Sequence, residues 1–402
     1  MNNEEIVALV RREVDDAQGY DADILSTKRE KALDYYHGKM VGAPDGRSQI
    51  VSHDVADVVH ALLSQVQPIF QSSTIEFTPD SEEDEPQAQL ESDFVQYKLE
   101  QSNGYKILYE AAFDALLIAN GWIKVTVDES TEVFNEQYGE LEPLQLQMLS
   151  QPQTEGEKVS ITENSSGYAV KREVTTRELK VESISPDVML FSTAADQFDF
   201  QELRFVGERV LYTSSELKEM GVSKQDIESI PESEDDYWPA VRAREGIYQD
   251  ESTDRIGGYQ EAERLRECFD CYYRIDLNNS GTSELRHIIF GGSVLILNEP
   301  AECIPYATGS PVPMPHRVQG TGMFELMHQV QDAKTHTLRQ YMDNLAVMNG
   351  SRVGAVEGQV NMEDLTNGRI NGVVRMRSPD AILPLPAADI GNQAITGLNY
   401  LD

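Results

Sequence analysis

The chain has 402 residues, enough for a large core or two to three ordinary domains, and its 69 Asp and Glu against 33 Lys and Arg give a formal net charge of -36. A surface of that sign repels nucleic-acid phosphates and anionic lipid, which excludes tight static DNA binding and a membrane-surface role. Three cysteines (Cys268, Cys271, Cys303) are too few for a disulfide scaffold and fit a reducing compartment.

The first residues contain no basic segment leading into an apolar one, and no apolar run approaches a membrane span, so a soluble protein made in a cytoplasm is expected. The charge is uneven. Residues 320–402 hold 9 acidic and 6 basic side chains, whereas 1–319 hold 60 and 27, so nearly all the surplus lies before the last fifth of the chain.

Residues 3–36 show helical spacing through Ile6, Leu9, Val10 and Val14, then Leu25, Ala32, Leu33 and Tyr36. A turn at Gly42–Gly46 ends this run, and Val55–Phe70 forms a second, apolar helix. Ile75–Pro79 alternates like a strand. Helices follow at Gln87–Asn103 and Tyr105–Asn120, the latter stopped by Gly121, and Trp122–Val127 alternates as a strand.

Residues 129–168 are rich in Glu, Gln, Ser and Gly and are expected to form a surface insertion, helical at 143–150 and otherwise flexible. Alternation returns at Tyr168–Ile184, a small-residue loop spans 192–196, and Phe205–Tyr212 is a strand. A short helix, Ser214–Met220, is capped by Ser214 or Ser215 and closed by Gly221. Residues 228–262 are acidic and poorly patterned. Arg264–Asp276 and Leu285–Leu297 form a hairpin.

Behind a Pro-rich approach (Pro311, Pro313, Pro315), residues 319–350 hold a helix of about 29 residues, long enough for roughly 40 Å. It carries two seams. Met323, Met327, Val330, Leu338, Tyr341, Leu345 and Met348 form an apolar one, and Glu325, Gln329, Asp332, His336, Gln340 and Asp343 form a polar one. Such near-heptad spacing suits packing against parallel copies of itself, and it equally suits one amphipathic helix on a globular core. Beyond it, short β-type runs lie at 352–356, 372–376 and 381–385, and Asp389 caps a further helix, Ile390–Leu401, which the sequence leaves uncapped, as a C-terminally truncated product would.

Chemistry-bearing motifs are weak. Cys268 and Cys271 have CxxC spacing, but the pair sits in a strand where i and i+3 face opposite sides, so both are expected to be structural. Asp276–Gly281 resembles the front of a calcium loop, yet the twelfth position is His287 and no helices flank it, so a hairpin turn is expected. His328, Asp332 and His336 share a helix face and define a metal-dependent hydrolase as an alternative, although the histidines are two turns apart. No Walker loop, GxSxG or GxGxxG is present, so neither an enzyme nor a cofactor or resident metal is expected.

Several stretches in fixed order resemble the portal proteins of tailed bacteriophages, the large type of short-tailed phages and prophages. They begin with Arg29, Ala32, Leu33, Tyr35 and Gly38, then Gly46-Arg47-Ser48 and Val51-Ser52-His53-Asp54-Val55. Pro68-Ile69-Phe70, Phe77-Thr78-Pro79, Asp114-Ala115-Leu116-Leu117 with Gly121, and Ser185-Pro186-Asp187 follow. Ser215-Glu216-Leu217, Ile304-Pro305-Tyr306, Pro315-His316 and Gly322-Met323 lead to Gln331, Lys334, Thr335, Arg339, Gln340, Asp343 and Asn344, and finally Asp380-Ala381-Ile382 and Pro384-Leu385.

The resemblance implies an α+β protein: a mixed helix/strand wing body over 1–318, a first stem helix over 319–350, a small β-rich clip over 351–388 and the start of a second stem helix over 389–402. It implies a ring of about a dozen copies at one capsid vertex of the virion. That ring is a conduit for genome packaging and ejection, and double-stranded DNA passes it without tight binding. The implied partners are the terminase large subunit, a head–tail adaptor, and major capsid and scaffolding proteins. The polar seam then lines the channel, the apolar seam meets neighbouring copies, and the near-neutral clip docks partners through Arg352, Arg369, Arg375 and Arg377. Another phage connector or head-assembly interaction protein is the nearest alternative.

Overall fold

A computed structural model describes residues 2–40, 42–72, 75–79, 81, 84–139, 145, 148–151, 157–164, 167–192, 200–232, 261–277, 281–349, 353–367, 372–384 and 391–401. Helices and antiparallel sheets are mixed, an α+β fold. The chain forms two compact units. The first comprises Met1–Arg29 with Ala61–Gly322, and the second Glu30–His60 with Met323–Asp402. The return of residues 30–60 to the second unit is not visible in the sequence pattern. Among the described residues no helix is long and apolar enough to cross a membrane.

The first unit opens with α1 (Asn3–Tyr20), a π-helical turn (Asp21–Ser26) and the start of α2 (Thr27–Tyr36). It continues from within α3 (Asp54–Ser72) through α4 (Glu85–Gln101) and α5 (Gly104–Ile118). A four-stranded sheet follows, ordered β2-β3-β1-β9, from β1 (Gly121–Tyr138), β2 (Glu157–Asn164), β3 (Gly167–Ile184) and β9 (Tyr306–Gly309). A five-stranded antiparallel meander comprises β4 (Met189–Phe191), β5 (Phe205–Thr213), β6 (Leu265–Ile275), β7 (Glu284–Gly291) and β8 (Val294–Pro300). Two short helices, α6 (Ser214–Glu219) and α7 (Lys224–Ser229), follow β5.

The meander is covered on both faces because neighbouring residues along a strand point to opposite sides. Phe205, Cys271, Tyr273, Ile288 and Phe290 join Ile6, Val7, Val10, Val14 and Ala17 of α1 in one cluster. Val206, Tyr272 and Leu285 join Trp122, Phe200, Ile304 and Tyr306 in another. The buried stripe of α1 thus runs through Val7 and Ala17, while Leu9 stays exposed. Cys268 and Cys271 enter different clusters, and burial pushes the Cys268 thiol up to about 12 and the Cys271 thiol well above its ordinary value. Neither is poised as a nucleophile.

Several local expectations are corrected. In its described parts the stretch 129–168 is helical at residues 145, 148 and 149, within the expected 143–150, but its flanks are strands and not flexible loop: β1 runs on to Tyr138 and pairs with β3 from Trp122↔Ile184 to Tyr138↔Tyr168, with β2 alongside. Glu, Lys, Arg, Ser and Thr outnumber the apolar residues in its strands, so the apolar alternation that marks a strand is weak. Cross-strand charge pairing takes its place, with Arg172 between Glu157 (2.6 Å) and Glu136 (3.5 Å). Half of 143–150 lies outside the described residues, as do 193–199 and 233–260.

Ile75–Pro79 belongs to no strand among the described residues. Leu285–Leu297 is two strands, because Gly292 takes the left-handed φ of 56° that a two-residue hairpin turn needs. The cap of α6 is Thr213, reciprocally bonded with Glu216. Helix α5 ends on Ala119 at φ 85°; Gly121 is instead required by close approach, since a Cβ there would lie 1.9 Å from the Ala111 carbonyl oxygen.

The second unit is built on α8 (Met323–Asn349). Beyond it come β10 (Val353–Ala355), α9 (Met362–Thr366) and β11 (Ile382–Pro384), with β10 and β11 antiparallel, and then α10 (Gly391–Leu401), which packs on α8. Residues 372–376 form no strand, only the isolated bridge Val360↔Met376. Asp389 lies outside the described residues.

The π-helical turn carries a buried ion pair, Arg29 Nη1 to Asp21 Oδ1 at 2.7 Å, with Asp187 3.9 Å from Arg29 Nε. Burial raises the Asp21 carboxyl to about 6 despite Arg29. Protonation of Asp21 is therefore favoured by folding, and this contribution is complete below its unfolded value of 3.8 and lost as pH rises through about 6. The Asp21→Asn variant should lack that dependence. In denaturant titrations its stability should fall roughly 1 kcal/mol less than wild type between about pH 5 and 7.5. Parallel pH profiles would show that Asp21 ionises as freely in the fold as outside it.

Candidate functional site

Two polar clusters are built deliberately enough to be candidate sites. The first bridges the sheets of the first unit. Lys124 of β1 donates to Glu208 of β5 and, at 2.8 Å, to Asp270 of β6, and the His287 Nε2–H donates to Asp270 at 2.7 Å. The His287 ring stacks on Tyr272 with centroids 4.6 Å apart, and Lys124 Nζ lies over the Tyr306 ring.

Burial works against the Lys124 charge, but Asp270 and Glu208 outweigh it and hold its pKa above the ordinary value. Burial likewise pushes Asp270 up, yet His287 and Lys124 prevail and bring it below its usual range. Glu208 remains raised by burial. Each charge faces a fixed partner, so the cluster is a structural tie between sheets and leaves no free base beside a nucleophile. His287 belongs to this tie, and Asp276 instead accepts from the Gly281 amide at 2.7 Å, closing a hairpin turn.

The second cluster lies along α8. Gln331, Thr335, Arg339 and Asp343 are spaced by four, and each engages the backbone of residues 48–55. Asp343 Oδ1 accepts from Ser48 N (2.7 Å), Arg339 Nε donates to Ile50 O (2.9 Å), Thr335 Oγ1 accepts from Ser52 N (3.2 Å), and Gln331 Oε1 accepts from Val55 N (3.0 Å). The geometry is one of matched rulers. Four helical residues rise about 6 Å, and two extended residues advance about 6.6 Å, so the extended strap meets every fourth helical side chain at every second residue from Ser48 to Ser52, and the last step, to Val55, takes three residues because the chain has by then turned into α3. Val55 N is a first-turn amide of α3, which Gln331 satisfies from outside that helix.

Flanking bonds complete the strap. The Tyr35 hydroxyl donates to Asp332 at 2.9 Å, Gln331 Nε2 donates to Tyr35 O at 2.9 Å, and Lys334 Nζ donates to Asp54 at 2.6 Å. Gln331 and Thr335 are fully buried. Gly38, at φ 69°, lets the chain turn back here, since a Cβ would press within 2.7 Å of the His53 ring. The sequence patterning missed this face because its centre is polar, although Gln331, Lys334, Thr335, Arg339 and Asp343 all carry the family resemblance.

The polar seam is therefore divided. Asp332 and Asp343 hold the chain's own strap, Glu325 is half-buried, and Gln329, His336 and Gln340 are exposed together. Of the apolar seam, Met323, Met327, Val330, Leu338, Tyr341 and Leu345 are half-buried and Met348 is exposed. The His328, Asp332 and His336 set does not converge: His328 Nδ1 bonds its own helix at Phe324 O and Asp332 is committed to Tyr35. Among the described residues no group of three or more His, Cys, Asp or Glu is placed to hold a metal ion. Arg375 pairs with Asp364 through Nε (2.6 Å) and Nη2 (3.0 Å), which lowers the Asp364 carboxyl, while Arg377 is exposed. Arg352 and Arg369 lie outside the described residues.

Replacing Gln331 by Ala leaves the buried Val55 N–H and Tyr35 carbonyl without partners, at a cost of roughly 2–4 kcal/mol. In hydrogen exchange, the amides of Ser48, Ser52 and Val55 should lose protection together while the first unit is unchanged. Undiminished protection would show that the strap is held by other means.

The family model described as Phage SU10 portal protein matches residues 6–402, nearly the whole chain and both polar clusters. No individually curated protein matches the chain. The chain belongs to the phage SU10 portal protein family, and with it to a family of structural proteins.

Proposed function

We propose that this protein is the ring-forming portal subunit at one capsid vertex of the virion. In this role it is the conduit for packaging and ejection of double-stranded DNA, and it docks the terminase large subunit and the head–tail adaptor among capsid and scaffolding proteins. The observation that supports this most is the family match over residues 6–402, together with a 27-residue helix whose own-chain strap fixes its orientation. A helix clamped along one row can present its other rows to neighbours and to a channel without turning about its axis.

In this reading α8 is the stem helix, and 353–384 falls in the clip. Gln329, His336 and Gln340 are the channel-facing residues, since Asp332 and Asp343 are engaged elsewhere. A wall of polar side chains without Lys or Arg suits passage of DNA, because it offers few cations to phosphate and so little counterion release on contact. The acidic surplus of the remaining chain discourages DNA from adhering elsewhere. Helix α8 packs against α10 within the subunit, and in this reading its apolar seam meets neighbouring copies around the ring.

Rings are expected in negative-stain images of the purified protein. Met327→Asp with Leu338→Asp should abolish them while the strap amides keep their exchange protection. Rings that survive both changes would show that the seam is not the subunit contact. Arg377→Glu should weaken capture of the terminase large subunit or adaptor severalfold in a pull-down. Arg375→Glu would instead break the pairing with Asp364 and disturb the local fold. Capture unaffected by Arg377→Glu would remove that residue from the docking surface.

A further inference from the structure

Helix α4 has two apolar faces where a surface helix ordinarily has one. At 100° per residue, Ala88, Ser92, Val95 and Leu99 fall within one narrow sector, where Ala88 is buried and the others half-buried, and α4 packs on α5. Leu90, Phe94 and Tyr97 fall in the opposite sector and are 71%, 52% and 61% exposed. Three large apolar side chains at i, i+4 and i+7 form a ridge about 10 Å long, the spacing by which one helix enters the groove of another. Packing among the described residues does not account for them.

The surroundings of the ridge select its partner. Residues 76–101 contain nine acidic side chains and one basic one, Lys98. Asp93 and Glu100 flank the ridge on one side and Glu91 on the other, and all three are exposed. Glu91 and Glu100 are held upright by Gln87 (2.9 Å) and Gln96 (3.0 Å) one turn earlier. An apolar ridge between acidic rails disfavours nucleic acid and anionic lipid, and it disfavours the same ridge of a second copy, whose rails carry the same charge.

We propose that the outer face of α4 docks an amphipathic helix of another protein, one whose apolar stripe is bordered by Lys or Arg. The apolar ridge supplies the contact area and the acidic rails set orientation and on-rate. This surface does not depend on the assignment of α8 as a stem helix.

The probe is a synthetic 14-residue helix of leucine and lysine, with a leucine–glutamate twin as its control, titrated by fluorescence anisotropy. So acidic a protein attracts any cationic peptide, so the decisive comparison is with Leu90→Gln/Phe94→Gln/Tyr97→Gln, which has the same charge. At equal salt the triple variant should bind the lysine peptide at least tenfold more weakly, and the glutamate peptide should bind neither protein. Glu91→Gln/Asp93→Asn/Glu100→Gln, which keeps the ridge, should weaken binding severalfold and flatten its salt dependence. Equal binding by wild type and the ridge variant would reduce the effect to bulk charge and overturn the proposal. Loss of self-association in the ridge variant would overturn it too, by making the ridge a contact between copies, as would tight binding of the glutamate peptide.

Discussion

The second unit depends on one interaction, the binding of an extended strap along a single row of a helix. Helix α8 cannot be fixed by apolar burial alone, because its seams are divided among half-buried and exposed positions. What fixes it is a row of side chains at intervals of four, each bonded to the backbone of residues 48–55. A row of that spacing drifts about 40° around the axis at each step, so the strap winds as it climbs and resists both rotation and sliding of the helix. Hydrogen bonds specify distance and direction as apolar contacts do not. A one-step slip would leave buried Gln331 and Thr335 facing the wrong backbone groups, at about 1–3 kcal/mol for each unsatisfied group.

The first unit solves a related problem by different means. Its meander is buried on both faces, yet β1, the strand that carries Trp122 into one of those cores, belongs to the other sheet. Lys124, one pleat from Trp122, reaches Glu208 and Asp270 across that junction, and His287 and Tyr272 stack beside them. Apolar contact holds the sheets near one another, and the charged tie selects one register between them. Removing one partner would leave a buried charge uncompensated, so such a tie contributes more to uniqueness than to net stability.

Sequence patterning revealed elements in which burial has a period. Helix α1 shows a stripe and α8 shows two seams, because burial on a helix follows its turn, and β5 and β6 read as strands from their apolar, β-branched and aromatic residues although both of their faces are covered. It failed where the binding face is polar. The β1–β3 ribbon is held by Arg172 and its glutamates, and the strap is held by Gln331, Thr335, Arg339 and Asp343. The assignment of Asp332 and Asp343 to an open polar seam has the same origin. Periodicity places a carboxylate on a face, but it cannot show that a tyrosine hydroxyl or a serine amide nearly three hundred residues earlier already occupies it. The turn at Gly292 was hidden differently, because β7 and β8 are both apolar and alternation runs through the two residues joining them.

The strap also distributes constraint unequally between its two halves. Helix α8 contributes side chains, so Gln331, Thr335, Arg339 and Asp343 can each be replaced only by a group of like reach and polarity. The strap contributes mainly amides and carbonyls, which most residues possess, so beyond Asp54, which accepts from Lys334, and buried Val55 its side chains are less constrained, provided the backbone stays extended up to the helix start and no proline removes the N–H at 48, 52 or 55. Ile50 shows the freedom: its carbonyl accepts from Arg339 while its side chain remains largely in solvent. A helix that must hold one orientation gains from this division. Its orientation rests on four bonds spread over three turns and not on any single contact.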